Sequence, residues 1–216
     1  MAAIDRIYQT LDHEVQQYRV PIVDLIQVQR GDPFHVLIAT ILSARTNDAT
    51  TAAVCERLFK TVNSFDDLDR LTVEQIAKLI YPVGFYHTKA KHLKQLPSTI
   101  RERFHGRIPD SVDELIELPG VGRKTANLVV AVAFDKPAIC VDVHVHRIMN
   151  RLGYVETKTP LETEMALRQK LPVKYWKGIN RILVAFGQFL CRPITPKCSI
   201  CPVYDLCERN GVTRHA

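Results

Sequence analysis

Four cysteines crowd the C-terminal part of the chain, spaced Cys191-x6-Cys198-x2-Cys201-x5-Cys207. Four thiolates this close together are a ligand set for a metal ion or a cluster, either zinc or [4Fe–4S]. Zinc ribbons usually carry two Cys-x2-Cys knuckles, whereas this stretch has one. Disulfides are not expected, because MAAIDRIYQTLDHEVQQYR has charges where an export signal has its apolar stretch. The other two cysteines, Cys55 and Cys140, are isolated in the sequence, and Cys140 reads as a small core residue.

A second reactive stretch lies mid-chain, where residues 111–134 read SVDELIELPGVGRKTANLVVAVAF. A helix capped by Ser111 and ending at Leu118 is expected, then a turn through Gly120, Val121 and Gly122, then an apolar helix opening at Arg123. Backbone N–H groups left over at such a turn and helix start form a phosphate site that reads no base, although an ordinary helical hairpin has the same outline. Eighteen residues beyond Lys124, the stretch VDVHVHR presents Asp142, a good cap for a helix starting near Val143.

These stretches need elements to hold them, and nearly every element reads as helix. Ile4, Ile7, Leu11, Val15 and Tyr18 form a stripe at helical spacing. Asp32 and Pro33 are a cap and first-turn proline for a helix over Phe34 to Leu42. Thr72 to Gln75 has capping-box spacing, Thr159 and Pro160 open another helix, and Tyr175 to Leu190 is a further one. Pro97 inside a helical stretch predicts a kink or a boundary. Ile139 to Val145 is strand-like but too short and isolated to seed a sheet. The fold class is therefore all-α, in 216 residues with 46% hydrophobic and 24% charged side chains. That apolar content excludes disorder. The longest apolar run, Leu128 to Phe134, is far short of the roughly 20 residues a bilayer requires, so no membrane partner is expected. A formal charge of +6 favours a polyanionic partner.

Taken together, LPGVGRKTA, the following VDVHVHR and the cysteine pattern resemble the helix-hairpin-helix Gly/Pro-Asp superfamily of DNA glycosylases, and within it the endonuclease III family. The likeness runs from PFHVLIATILSARTND through VGFYHTKA to Cys207. It implies two helical lobes with a DNA-binding cleft between them. One is a six-helix domain over 24–136 that contains the hairpin; the other combines 1–23 with 137–216 and carries a [4Fe–4S] cluster on Cys191, Cys198, Cys201 and Cys207. It further implies a base-excision enzyme that removes oxidised pyrimidines such as thymine glycol from duplex DNA and cuts the abasic site 3′ by β-elimination.

In this resemblance Lys124 is the nucleophile and Asp142 the catalytic carboxylate. A primary amine can attack C1′ and leave a Schiff base. Only its neutral form attacks, and an ordinary lysine is neutral in roughly one molecule in 2,500 at pH 7, so the surroundings must favour that form. A carboxylate near C1′ stabilises oxocarbenium character. His144 is expected to support the site from behind. Gly120, Val121, Gly122 and Arg123 are the hairpin's DNA contacts, and Arg192 and Lys197 lie where basic side chains grip phosphate. A flipped base leaves a hole in the duplex. The family fills it from the loop matching Ser43–Asp48, where Arg45 stands in place of the bacterial Gln, and wedges the opposite strand from the loop matching Val83–Tyr86, where Phe85 stands. Asp48 also matches the first loop, and a helix cap explains it equally well. The alternatives are a monofunctional mismatch or adenine glycosylase, which lacks the lysine, and a non-catalytic, redox-sensing DNA-binding protein. A monomer, cytoplasmic and of prokaryotic type, is expected.

Overall fold

The structure, a computed structural model, describes residues 3–18 and 31–216. The eleven α-helices among them are numbered α1 to α11 in chain order, and the described residues contain no strand. No helix is long and apolar enough to cross a membrane. The chain divides into two compact units, Met1–Val20 with Pro137–Ala216, and Pro21–Lys136. The boundary expected at residues 23 and 24 lies outside the described residues.

The Pro21–Lys136 unit holds α2 (Pro33–Ser43), α3 (Asp48–Leu58), α4 (Phe65–Arg70), α5 (Val73–Ile80), α6 (Tyr86–Phe104), α7 (Val112–Leu115) and α8 (Arg123–Ala133). That is seven helical segments among the described residues, one more than the six expected. Asp32 caps α2 by accepting from Phe34 N and His35 N, with Pro33 in the first turn. Thr72 and Gln75 form the reciprocal capping box that starts α5. Every residue of α2 from Phe34 to Leu42 is buried, and α8, itself buried at Val129, Val130 and Val132, packs against it. This all-round burial makes α2 the axis of the unit's core.

Two expectations here are corrected. Helix α6 runs on past Pro97, which lies buried beside Leu96, so of the kink or boundary expected there the boundary is excluded. Helix α7 covers only Val112–Leu115 rather than reaching Leu118; beyond it the chain tightens into turns, with Leu118 N donating to Leu115 O at 3.1 Å and Val121 N to Leu118 O at 3.1 Å.

The other unit is built from α1 (Ala3–Val15), α9 (Val143–Arg151), α10 (Pro160–Lys170) and α11 (Trp176–Phe189). The stripe Ile4, Ile7, Leu11 and Val15 is buried on α1, which packs on α11. Helix α9 packs on α11 too, and Val145, Ile148 and Met149 share one apolar core with Ile182, Leu183 and Phe186. The strand-like run Ile139–Val145 forms no strand, and Asn180 Nδ2 donates to its Cys140 carbonyl at 3.1 Å. Its first four residues are irregular and its last three pass Asp142 into α9, because the Asp142 carboxylate nucleates a helix that β-branched propensity disfavours.

Candidate active site

The turn between α7 and α8 is built by its glycines. Gly120 has φ +77°, a left-handed conformation that costs a residue with a Cβ about 1–2 kcal/mol. Gly122 is the N-cap of α8 and brings no side chain to its first amides. Five helices of this unit start under a side-chain cap, from Asp32, Asn47, Ser64, Thr72 and Ser111. The two that do not are α6 and α8. An N-terminus without such a cap, set on a hairpin, presents N–H groups and the positive end of the helix dipole to an anion. Val121 anchors the turn by burial, and Gly120 and Gly122 are exposed. Arg123 lies 4.0 Å from Asp113, an exposed pair of little energetic weight. Lys124, at the second position of α8, is exposed.

In the other unit Asp142 is buried, and its Oδ1 accepts from His144 N at 2.9 Å and Val145 N at 3.0 Å. Both bonds hold one rotamer at the head of α9. His144 is half-buried; its Nδ1 lies 3.1 Å from Arg147 Nη2, and it packs so close to Gly187 that a Cβ there would overlap it. Arg147 also donates to Cys191 O at 2.9 Å. One turn further along α9, Arg151 donates to Cys191 Sγ at 3.4 Å, Arg192 O at 2.7 Å and Pro193 O at 2.6 Å. Helix α9 therefore carries the Asp142 carboxylate at one end and grips the start of the cysteine loop at the other.

Cys191, Cys198, Cys201 and Cys207 line one pocket, with Ile148, Leu152, Phe186 and Val203 as its apolar wall. Among the described residues, no three His, Cys, Asp or Glu side chains converge on one point as a single ion demands. Four thiols lining one pocket are a soft donor set of the kind that a zinc ion or an iron–sulfur cluster takes. Burial pushes the Cys201 thiol up to about 11 and raises Cys198 and Cys207 as well, so thiolates there need a positive centre to compensate them. Arg192 is exposed and Lys197 half-buried on the loop between the first two cysteines.

The two loops expected to meet the lesion lie together in the Pro21–Lys136 unit. Arg45 (φ +55°) and Phe85 (φ +58°) are both left-handed, a conformation that non-glycine residues adopt where function or neighbours impose it. The Phe85 ring is 62% exposed, and the Arg45 guanidinium sits over it, 5.3 Å from the centroid. An apolar ring held in solvent by a strained backbone is not a core residue. Gly84 N donates to Thr46 Oγ1 at 3.1 Å, and a Cβ on Gly84 would overlap the Arg45 carbonyl oxygen. Asp48 is the first residue of α3, whose cap is Asn47, so its charge faces the helix dipole without capping it.

Sequence reasoning missed Lys89. It belongs to the buried stripe Lys89, Leu93, Leu96 and Ile100 of α6, and a lysine on an apolar stripe is the signal that marks it. Its Nζ donates to Leu42 O at 2.8 Å, Ala44 O at 2.6 Å and Thr46 Oγ1 at 3.3 Å.

Residues 38–173 match the HhH-GPD superfamily of base excision DNA repair proteins, which defines the hairpin's class. Endonuclease III of Thermotoga maritima is 46% identical over 177 residues, covering 82% of this chain and 83% of that one. Endonuclease III homolog 2 of Arabidopsis thaliana is 44% identical over 186 residues, though the chain spans only 47% of its length. A solved endonuclease III–DNA covalent intermediate superposes with TM-score 0.80 at 33% identity, covering 97% of each chain. The chain belongs to the endonuclease III family, and it is a base excision DNA glycosylase with abasic-site lyase activity.

Proposed function

We propose that this chain excises oxidised pyrimidines from duplex DNA as a monomer, with Lys124 as nucleophile and Asp142 as the carboxylate that stabilises developing positive charge. The observation that carries the reading is an exposed lysine in the first turn of α8, directly after a glycine hairpin that leaves the helix without a side-chain cap. The hairpin amides hold a backbone phosphate irrespective of sequence, and the amine beside them attacks C1′. The C1′–N bond breaks and the base leaves with its electron pair. Loss of an amine proton and ring opening give an iminium between Nζ and C1′. A C2′ proton is then removed and the C3′–O bond breaks, releasing the 3′ phosphate. The Asp142 carboxylate, fixed by its two amide bonds, acts on C1′ without having to reorganise. Phe85 wedges the opposite strand, and Arg45 hydrogen-bonds the base left without a partner. The four cysteines hold a [4Fe–4S] cluster, whose role is to shape the loop that presents Arg192 and Lys197 to phosphate.

Borohydride trapping on a duplex containing thymine glycol, with the wild type and Lys124→Ala side by side, tests the assignment. A covalent adduct in the wild type alone is expected. Base release without any adduct would indicate a monofunctional enzyme using water. Tight binding with neither would overturn the catalytic reading.

A further inference from the structure

Lys89 stands out because its position calls for an apolar side chain. It is 7% exposed on the stripe by which α6 packs into the core, and burial brings its ammonium down to about 8. A methionine or leucine would fill the space without that desolvation. What only an ammonium supplies is three donors in a tetrahedral fork, and each has an acceptor. Two are carbonyls at the C-terminal end of α2, Leu42 O and Ala44 O, where the helix dipole favours a cation. The third is Thr46 Oγ1, which also accepts from Gly84 N.

Those acceptors bracket Arg45. The lysine itself enters α6 four residues after Phe85, and Lys89 N donates to Phe85 O at 3.0 Å. One side chain thus ties the Ala44 carbonyl before Arg45 and the Thr46 hydroxyl after it to the first turn of the helix that Phe85 opens. The Gly84–Thr46 bond and the closeness of Gly84 to the Arg45 carbonyl complete the connection. We propose that Lys89 is a positioning residue that holds the Arg45 and Phe85 loops in one fixed relation, so that both residues enter a damaged duplex as a unit. This rests on the reading of Arg45 and Phe85 as the inserting residues. Lys89 itself touches neither the base nor the sugar.

A positioning role of this kind matters only where there is a second strand to wedge and a void to fill. The test therefore compares cleavage of an abasic site in duplex with cleavage of the same site in a single strand. Lys89→Met should slow duplex cleavage by about ten- to a hundredfold, the scale of a misplacement of about 1 Å, and leave single-strand cleavage near the wild-type rate. Lys89→Arg, which keeps charge and donors, should recover part of the loss. A 2-aminopurine opposite an uncleavable abasic analogue should brighten with the wild type and much less with Lys89→Met. Thr46→Val removes the shared hydroxyl without burying an unpaired charge, and it decides the matter should Lys89→Met fail to fold. Equal loss on both substrates, or no loss on either, would overturn the proposal. Arg45→Ala and Phe85→Ala serve as controls. If they lower the duplex-to-single-strand ratio and the Lys89 and Thr46 variants do not, this inference alone fails. If they leave the ratio unchanged, the loop reading fails and this inference with it.

Discussion

Asp142 is assigned two tasks, and one pair of substitutions separates them. As a cap, its Oδ1 holds two amides of α9 in a buried setting. Losing such a cap costs roughly 1.5 kcal/mol, and the favourable meeting of its charge with the helix dipole adds about 0.5 kcal/mol. Asparagine caps as well as aspartate and forfeits only the charge term. For a chain of 216 residues, 1 kcal/mol moves Tm by about 2–4 °C. Asp142→Ala should therefore lower Tm by about 4–8 °C, and Asp142→Asn by only about 1–2 °C. Catalysis should divide differently, because both variants lack the carboxylate that the proposed mechanism sets against the developing charge. Each should lose about 10²–10³ in the single-turnover rate of borohydride-trapped adduct formation. Calorimetry and trapping on the same preparations read the two tasks independently. Wild-type trapping by Asp142→Asn would reduce the residue to a cap. Equal Tm values for the two variants would show that the cap does not hold α9 as its geometry indicates.

Gly84→Ala, with no change of charge, forces the Arg45 and Phe85 loops apart; it should impair duplex cleavage while single-strand cleavage persists, and an unaltered duplex rate would contradict the close packing. Lys89 also sets a pH dependence. Its folded value of about 8 lies below the ordinary 10.5, so between those values the unfolded chain binds more protons and stability rises with pH. At 1.36 kcal/mol per pH unit, the gain over that window is at most roughly 3 kcal/mol relative to Lys89→Met, and parallel urea-derived stability curves for the two proteins would refute it. Cys198→Ser removes one of the four proposed ligands lining the shared pocket, and should abolish the visible absorbance of an iron–sulfur cluster. Retention of full absorbance would show that the thiol is not a ligand.

Much of this architecture is legible from local signals because those signals act locally. Asp32 before Pro33, and Thr72 before Gln75, start helices through contacts of two or three residues, so their spacing alone predicts α2 and α5. Failures occur where distant contacts decide. Pro97 reads as a break, yet burial of Leu93, Leu96 and Ile100 carries α6 past it. Ile139–Val145 has strand propensity without a partner strand, and Asp142 redirects it. The extent of α7 is set by the glycine turn that follows rather than by its own apolar spacing. Among the proposed functional residues, Lys124, Asp142 and the cysteines carry recognisable spacing. The pairing of Arg45 with Phe85 is invisible in a sequence that separates them by forty residues, and so is the lysine joining their loops.

The hairpin has a consequence for how such an enzyme changes over generations. Its grip is made of peptide groups, which every amino acid carries, so drift in side chains cannot adjust it; mutation at Gly120, with φ +77°, can only damage it. On the proposed reading, the loops that meet the opposite strand act through side chains, Arg45 and Phe85, held at the ends of a separate bracket. Heritable variation in opposite-base preference would thus be decoupled from hold on the DNA strand. A new opposite-base preference could then be selected by altering two loops, while attachment to any sequence is inherited intact.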